Sequence, residues 1–124
     1  MNIVDSSGWL EYFANGVNAE AFAKPIEQLG ELLVPSITMT EVFKRILQQR
    51  DEPAALQAAA HMSQGRVIVL DVRLALSAGK LGHELKLPLA DSIILATAQF
   101  HHALLWTQDD DFKHILGVRY IPKR

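Results

Sequence analysis

The sequence predicts an α/β fold built on a mostly parallel sheet of four or five strands. Two patterns predict it: five short apolar runs bounded by Asp, Gly or Pro, and longer stretches of helical periodicity between them. The short runs are almost continuously apolar, which is typical of strands that are covered on both faces. Parallel strands need right-handed crossover connections, and these place helices over both faces of the sheet. A chain of 124 residues suits one domain, residues 1–124.

The individual elements follow in chain order from these patterns. The predicted strands are Asn2 to Val4, Leu32 to Ser36, Val67 to Leu70, Ala103 to Thr107 and Val118 to Ile121. The predicted helices are Ser7 to Ala14, Ala19 to Leu29, Thr38 to Gln49, Pro53 to Gln64, Val72 to Leu85, Ala90 to His101 and Asp109 to Leu116.

Composition narrows the classes of function. The chain has 12 Lys and Arg against 14 Asp and Glu, and it has no Cys, which excludes disulfide scaffolds, thiolate zinc sites and cysteine nucleophiles. No apolar run reaches the roughly 18 to 20 residues of a bilayer span, and Met1 to Asp5 lacks the features of a signal peptide. We therefore expect a cytoplasmic protein without a membrane span. The net charge of −2 gives no overall attraction to nucleic acid, so such contact needs a local basic patch or bound cations.

Acidic residues cluster near the predicted strand ends, where open parallel sheets bind their ligands. They lie after the first strand, in the helix after the second strand, in the helix before the fourth strand and directly after the fourth strand: Asp5, Glu41, Asp91 and Asp109 to Asp111. All four loci can therefore meet at one edge of the sheet.

Three of these loci also have purely structural interpretations. Asp5 can cap the helix that begins near Ser7. The segment Thr38 to Glu41 matches a capping box, which would account for Glu41. The run Asp109 to Asp111 can be an acidic first turn that complements a helix dipole. Taken singly, each of these residues leaves both interpretations open.

Asp91 fits a structural role least well, although helix capping stays open for it too. Ile94, Leu95 and Ala98 follow it at helical spacing, so its carboxylate lies on an apolar stripe. No Lys or Arg lies between Pro88 and Asp111 to pair with it. A buried carboxylate is costly unless it is paired, hydrogen-bonded or bound to a metal.

Acids brought together without a cation would raise one another's pKa values through repulsion and desolvation. A hard divalent cation removes that cost, and carboxylate oxygens without Cys or His ligands suit Mg²⁺ or Mn²⁺ rather than zinc. Such an ion orients a phosphodiester and lowers the pKa of bound water. It would also let an acidic pocket accept a polyanion.

Four segments of the chain resemble a known family when they are taken together. They are Ile3 to Phe13, Ser36 to Val42, Leu87 to Ala98 and Leu104 to Phe112. In order and spacing they resemble a PIN domain, specifically the VapC-type ribonuclease toxins of toxin–antitoxin pairs, over nearly the whole chain. The resemblance implies a three-layer α/β/α fold. It also implies an endoribonuclease that depends on Mg²⁺ or Mn²⁺ and hydrolyses RNA phosphodiester bonds, with tRNA or rRNA as candidate substrates.

The resemblance also implies roles for individual residues. The family has a catalytic acidic quartet that binds the metal, and it corresponds to Asp5, Glu41, Asp91 and Asp109. Glu41 would contact the metal directly or through water. Asp111 corresponds to an accessory acid, and the hydroxyl of Thr107 to a group that orients the cluster. Relatives usually form homodimers and are inhibited by a VapB-like antitoxin, which can place a basic side chain near the acids.

Two departures from the family pattern concern the segment after the fourth strand. Gln108 stands where many relatives have Arg or Asn, which weakens any substrate-binding role for this position. The additional Asp110 leaves open which of Asp109, Asp110 and Asp111 contacts the metal, and motif alignment favours Asp109.

Two rival functions come from other classes. One is a non-catalytic protein-interaction module whose acids cap helices and bind an Arg-bearing partner. The other, more distant, is a receiver-like phosphoacceptor domain, which needs paired acids after the first strand and a Lys after a late strand. Here Asp5 is followed by Ser6 and Ser7, and Thr107 to Asp109 contains no Lys.

The basic residues have two interpretations. They could line an RNA approach path if they converge beside the acids, and otherwise they are solvated faces: Lys44, Arg45, Arg50, Arg73, Lys80 and Lys86.

Overall fold

The computed structural model describes residues 1–124, which form five strands, six α-helices and two short 3-10 turns. The strands are β1 (Asn2–Val4), β2 (Leu32–Pro35), β3 (Arg66–Ile68), β4 (Leu104–Thr107) and β5 (Val118–Tyr120). The helices are α1 (Ser6–Phe13), α2 (Ala19–Glu27), α3 (Ser36–Gln49), α4 (Glu52–Met62), α5 (Val72–Leu85) and α6 (Leu89–Phe100). The 3-10 turns are Leu29–Glu31 and Asp110–Phe112. None of the helices combines the length and apolarity needed to span a membrane.

The five strands form one sheet in the order β3-β2-β1-β4-β5, and every neighbouring pair is parallel. The chain runs from β1 outward through β2 and β3, and then crosses back to place β4 and β5 on the other side. The strand order therefore reverses between β1 and β4. In open parallel sheets a crevice for ligands forms at such a point, outside the carboxyl ends of the two strands.

The core lies on both faces of this sheet. In β1, Ile3 packs on one face and Val4 on the other, and both are fully buried. One face is covered by α1 to α4, with Trp9 and Phe22 as its largest buried rings. The other is covered by α5 and α6, and Ile94 belongs to that cluster. Full burial of such side chains contributes about 1.5 to 3 kcal/mol each. The predicted three-layer α/β/α fold is confirmed.

Two predicted elements differ from those observed. Strand β3 was expected to be covered on both faces, but Arg66 and Val67 are exposed because β3 is an edge strand with β2 as its single neighbour. The helix predicted over Asp109 to Leu116 is only the turn Asp110–Phe112. Phe112 is its one fully buried residue and Leu116 is 95% exposed, so the segment has no apolar stripe to hold a helix against the core.

The capping box predicted at Thr38 to Glu41 is also wrong. Helix α3 begins at Ser36, directly after Pro35, so Thr38 lies inside the helix. The Thr38 side chain is fully buried, and its hydroxyl has no hydrogen-bond partner. Glu41 is therefore free of the reciprocal contact that this box would require.

Candidate metal centre

Three acids converge just beyond the carboxyl end of β4. Asp91 lies in the first turn of α6, while Asp109 and Asp111 follow β4. One carboxylate oxygen from each lies within 4.8 Å of the other two. Asp91 and Asp109 are half-buried and Asp111 is exposed. The acidic centre, meaning these three residues, therefore has a solvent-facing side and a protein-facing side.

Local hydrogen bonds hold Asp109 in place. Its backbone N–H donates to Oγ1 of Thr107 at 2.9 Å, and its Oδ1 accepts the backbone N–H of Asp111 at 2.9 Å. Asp109 thus caps the turn Asp110–Phe112. The structural interpretation of this acidic run, as the first turn of a helix, is therefore correct for a short 3-10 turn. Capping occupies Oδ1, so the same residue can cap the turn and offer Oδ2 to a ligand.

Asp5 joins the capping of α1 to the acidic centre. Its side chain is 2% exposed, and Oδ1 accepts hydrogen bonds from Gly8 N at 3.0 Å and Ser7 Oγ at 2.7 Å. Its Oδ2 accepts the hydroxyl of Thr107 at 2.6 Å. Thr107 therefore bridges Asp5 and Asp109, since one hydroxyl contacts both residues.

The pKa of Asp5 is raised from 3.8 to about 6. Burial is the largest cause and repulsion from Asp109 adds to it, while the hydrogen bonds from Thr107, Ser7 and Gly8 oppose it. Asp5 lies outside the group of three close oxygens, but its charge is coupled to theirs.

Asp91 is the most perturbed acid of the centre. Its pKa is raised from 3.8 to about 7, first by burial, then by the charge of Asp109 and by contact with Asp111. No cation offsets this repulsion, because the one ion pair of the chain joins the Met1 ammonium and Glu31.

Glu41 lies apart from the three close acids. Its carboxylate accepts a hydrogen bond from Ser6 Oγ at 2.5 Å, and Ser6 directly follows Asp5. Of the sequence-predicted residues, the structure thus brings Asp91, Asp109 and Asp111 together. It links Asp5 to them through Thr107. Glu41 contacts Ser6, the residue that follows Asp5, and not the three close acids.

A buried amide pair next to the centre was missed by sequence reasoning. Asn18 Nδ2 donates to Gln108 Oε1 and to the carbonyl of Pro122, both at 3.0 Å, and the N–H of Gln108 donates to Ser7 Oγ at 3.3 Å. These bonds fix the chain between Thr107 and Asp109. Asn18 stands at the N-cap of α2, where it would be expected to cap, so no local signal points to this contact.

The donor set fits a hard divalent cation. All three close groups are carboxylates, and oxygen ligands are what Mg²⁺ and Mn²⁺ prefer. The repulsion that raises the pKa of Asp91 has no protein cation to relieve it, and a bound metal ion would do so. The acidic centre can therefore hold a metal ion.

Comparisons with known proteins give a family match and similar solved structures. The family model described as PIN domain matches residues 3–117. A chain of a toxin–antitoxin complex from Klebsiella pneumoniae is similar, with 27% identity, a TM-score of 0.79, and coverage of 98% of this chain and 100% of that one. No similar protein was found among curated proteins.

Two further solved structures share the fold. Mycobacterium tuberculosis VapC20, described as a sarcin-ricin loop cleaving toxin, is 16% identical with a TM-score of 0.77, covering 100% of this chain and 99% of that one. DNA-bound VapBC from Salmonella typhimurium is 17% identical with a TM-score of 0.74, covering 98% of each chain.

Proposed function

Because the chain belongs to the PIN domain family, we propose that it is a VapC-type endoribonuclease that uses Mg²⁺ or Mn²⁺ to hydrolyse RNA phosphodiester bonds. The observation that carries the proposal is the convergence of Asp91, Asp109 and Asp111 within 4.8 Å beside the point where the strand order reverses. The products would carry 3′-hydroxyl and 5′-phosphate ends.

We propose the following division of work among the acids. Asp91 and Asp109 hold the metal, and Asp111 is an accessory ligand. Asp5, whose two oxygens already accept hydrogen bonds, adds its charge and is held by Thr107. Glu41 acts through water rather than directly, because it lies outside the group of close oxygens.

A bound divalent cation would supply a water molecule of lowered pKa and would stabilise charge on the phosphate. The chain itself then has two tasks. The bonds of Thr107 keep Asp5 and Asp109 at a fixed separation, and α6 presents Asp91 from a rigid first turn. Preformed ligands of this kind need no rearrangement when substrate arrives.

The substrate class is RNA, with tRNA and rRNA as candidates, and we place the activity in the cytoplasm. The described activity of VapC20 on the sarcin-ricin loop supports rRNA, although at 16% identity that structure shares only the fold. Since the net charge of −2 gives no overall attraction to RNA, we propose that the strand is recruited by bound cations together with local basic side chains.

We also propose a VapB-like antitoxin as inhibitor, which the toxin–antitoxin complexes among the similar structures support. A groove of about 380 Å³ lies between α1, α3 and α4 and suits an amphipathic helix of such a partner. Its apolar lining includes Leu10, Phe13 and Ile46, with Arg50 and His61 as basic groups. The groove thus offers an apolar floor together with groups that can pair with acids.

A homodimer is part of the same proposal. Exposed apolar side chains lie on and before α5: Val69 is 68% exposed, Val72 76% and Leu76 72%. A second copy of the chain covering them would remove this apolar surface from water.

The non-catalytic interaction module remains the rival function, because Asp5 and Asp109 do cap helical turns. It predicts no stabilisation by Mg²⁺, whereas a metal-binding centre predicts a rise in melting temperature that a chelator reverses. The receiver-like alternative is wrong, since the chain belongs to the PIN domain family.

The test is cleavage of purified tRNA and rRNA in Mn²⁺ or Mg²⁺ by the wild type, Asp91→Asn and Asp51→Asn. Asp51 is an exposed cap of α4 and supplies the same chemical change away from the centre. We expect cleavage by the wild type and Asp51→Asn, abolished by EDTA, and a loss of about a hundredfold or more in Asp91→Asn. Undiminished cleavage by Asp91→Asn would refute the assignment.

A further inference from the structure

A second cavity lies beside Glu41 and has no role so far. It measures about 430 Å³ and opens between α1 and α3. Apart from Leu10, its lining is polar or charged: Ser6, Thr40, Glu41, Lys44, Arg45 and Gln48. We call it the α1–α3 cavity.

The α1–α3 cavity adjoins the acidic centre. Ser6, on its wall, directly follows Asp5 and donates its hydroxyl to Glu41. Asp5 in turn is close enough to Asp91 for its charge to raise the pKa of that residue. A strand that reaches the acidic centre therefore has this cavity as a neighbour.

The cations of the cavity are not engaged within the protein. Lys44 and Arg45 follow Glu41 by three and four positions on α3, the spacing at which ion pairs form on a helix. Neither pairs with it, because the chain's one ion pair joins Met1 and Glu31, and Glu41 accepts Ser6 instead. Two cations against one carboxylate leave the cavity with a charge of +1.

Other cations of the chain are held by aromatic rings. The Arg73 guanidinium lies 5.1 Å from the centre of the Phe100 ring, and that of Arg119 lies 5.0 Å from Trp106. Lys44 and Arg45 have no such contact, and both are exposed. They are therefore available to an outside anion.

We propose that the α1–α3 cavity binds a backbone phosphate of the RNA strand next to the scissile bond, with Lys44 and Arg45 as its cationic contacts. The inference rests on the proposed function. An acidic centre in a chain of charge −2 repels a polyanion. Fixed cations beside the centre would offset this repulsion and hold the strand there.

The chemistry of the lining suits a phosphate. An Arg guanidinium can donate two parallel hydrogen bonds to phosphate oxygens, and a Lys ammonium acts as a point charge. The side-chain amide of Gln48 is a further donor in the lining, whereas the hydroxyl of Thr40 donates to the carbonyl of Ser36 at 3.5 Å. Contacts of this type position a strand without reading its sequence.

The test measures binding of a short fluorescent single-stranded RNA by anisotropy, with Asp91→Asn in every protein to prevent cleavage. Each phosphate contact on a single strand contributes about 0.7 to the slope of log affinity against log salt. Because both cations contact the same phosphate, we expect Lys44→Ala/Arg45→Ala to lower the magnitude of this slope by about 0.7 and to bind about fivefold more weakly at about 0.1 M salt.

Two matched control variants accompany the Lys44→Ala/Arg45→Ala variant in this binding experiment. Lys24→Ala/Lys80→Ala removes the same net charge from exposed positions on α2 and α5 and should leave the slope within about 0.3 of the parent value. Lys44→Arg/Arg45→Lys keeps both charges and should retain the slope. An unchanged slope in Lys44→Ala/Arg45→Ala, or an equal loss in the Lys24 and Lys80 control, would overturn the proposal.

Failure of the inference and failure of the proposed function give different results. If wild-type protein cleaves RNA and the Lys44 and Arg45 change leaves the slope intact, only the cavity assignment is wrong. If wild-type protein does not cleave RNA in Mg²⁺ or Mn²⁺, the proposed function is wrong, and the inference that rests on it falls with it.

Discussion

Asp91 is under electrostatic strain in the metal-free protein, since burial and two neighbouring acids disfavour its ionised form. We predict that Asp91→Asn stabilises the metal-free protein at pH 8, because it removes a charge that no cation offsets. Because the group is half-exposed, solvent screening limits the gain to about 1 to 2 kcal/mol, or roughly 4 to 8 °C in melting temperature.

The same variant should lose the Mg²⁺-induced rise in melting temperature that the wild type shows. Thermal unfolding with EDTA and with Mg²⁺ measures both effects, and Asp51→Asn controls for the chemical change. A lower melting temperature for Asp91→Asn in EDTA, or a full Mg²⁺ response, would contradict this prediction.

The pH dependence of the stability follows from the direction in which the pKa of Asp91 is shifted. The folded-state pKa of Asp91, about 7, is above its ordinary value of 3.8, so its favourable contribution is complete below pH 3.8 and is lost as pH rises through 7. The melting temperatures of wild type and Asp91→Asn in EDTA should therefore coincide near pH 4 and diverge up to pH 8. A difference that is constant across this range would show that charge is not the cause.

At the scale of elements, the buried contact of Asn18 joins the start of α2 to the end of β4. Asn18→Ala leaves the Gln108 and Pro122 carbonyl oxygens without this donor, which should destabilise the protein by about 1 to 3 kcal/mol. It should also weaken Mg²⁺ binding, because Gln108 precedes Asp109. The control Asp51→Ala removes a cap worth about 1 kcal/mol and should leave Mg²⁺ binding unchanged.

Titration of the melting temperature with Mg²⁺ separates the two effects. Unaltered Mg²⁺ dependence in Asn18→Ala would mean that the contact serves stability alone.

The packing of α5 against α6 offers a second prediction at this scale. A methyl group added at Gly82 would lie 2.9 Å from Cβ of Ser92 and even closer to its hydroxyl. Ser92 is buried and directly follows Asp91. We expect Gly82→Ala to destabilise the protein by about 1 to 3 kcal/mol.

Gly79 on the same helix is the matched control. An added methyl there meets nothing within 4 Å, so Gly79→Ala should stabilise the protein by about 0.5 to 1 kcal/mol. Denaturant unfolding of both variants measures these changes, and equal effects of the two substitutions would contradict the proposed packing constraint.

The element types were predictable where periodicity and burial agree. β1 and β2 are apolar runs with core on both sides, and α6 is apolar almost throughout, so sequence and structure coincide there. The edge position of β3 and the shortness of the turn at Asp110 depend on tertiary contacts with neighbouring elements. No local sequence pattern predicts those contacts.

The site was predictable to a similar extent. The acids Asp91, Asp109 and Asp111 stood out because strand ends and an apolar helix face are visible in the sequence. The contacts of Asn18 with Gln108 and Pro122 join positions 90 and 104 residues apart, and neither partner carries a local signal. The hydrogen bond from Ser6 to Glu41 likewise depends on tertiary packing.

At the scale of the whole molecule, the topology explains why the acids meet. The sheet order reverses between β1 and β4, so Asp5 and Asp109 emerge side by side at the carboxyl ends of these strands. Helix α6 then adds Asp91 from the layer above. The acidic centre is thus a consequence of strand order, and its charge is the opposite of what an RNA strand would bind without a cation.

The most direct test of this account is anomalous diffraction from crystals of the wild-type protein soaked in Mn²⁺. The account predicts a manganese peak bonded to carboxylate oxygens of Asp91 and Asp109, next to Asp111, and no such peak in Asp91→Asn. A wild-type crystal at saturating Mn²⁺ without a peak between these carboxylates would contradict it.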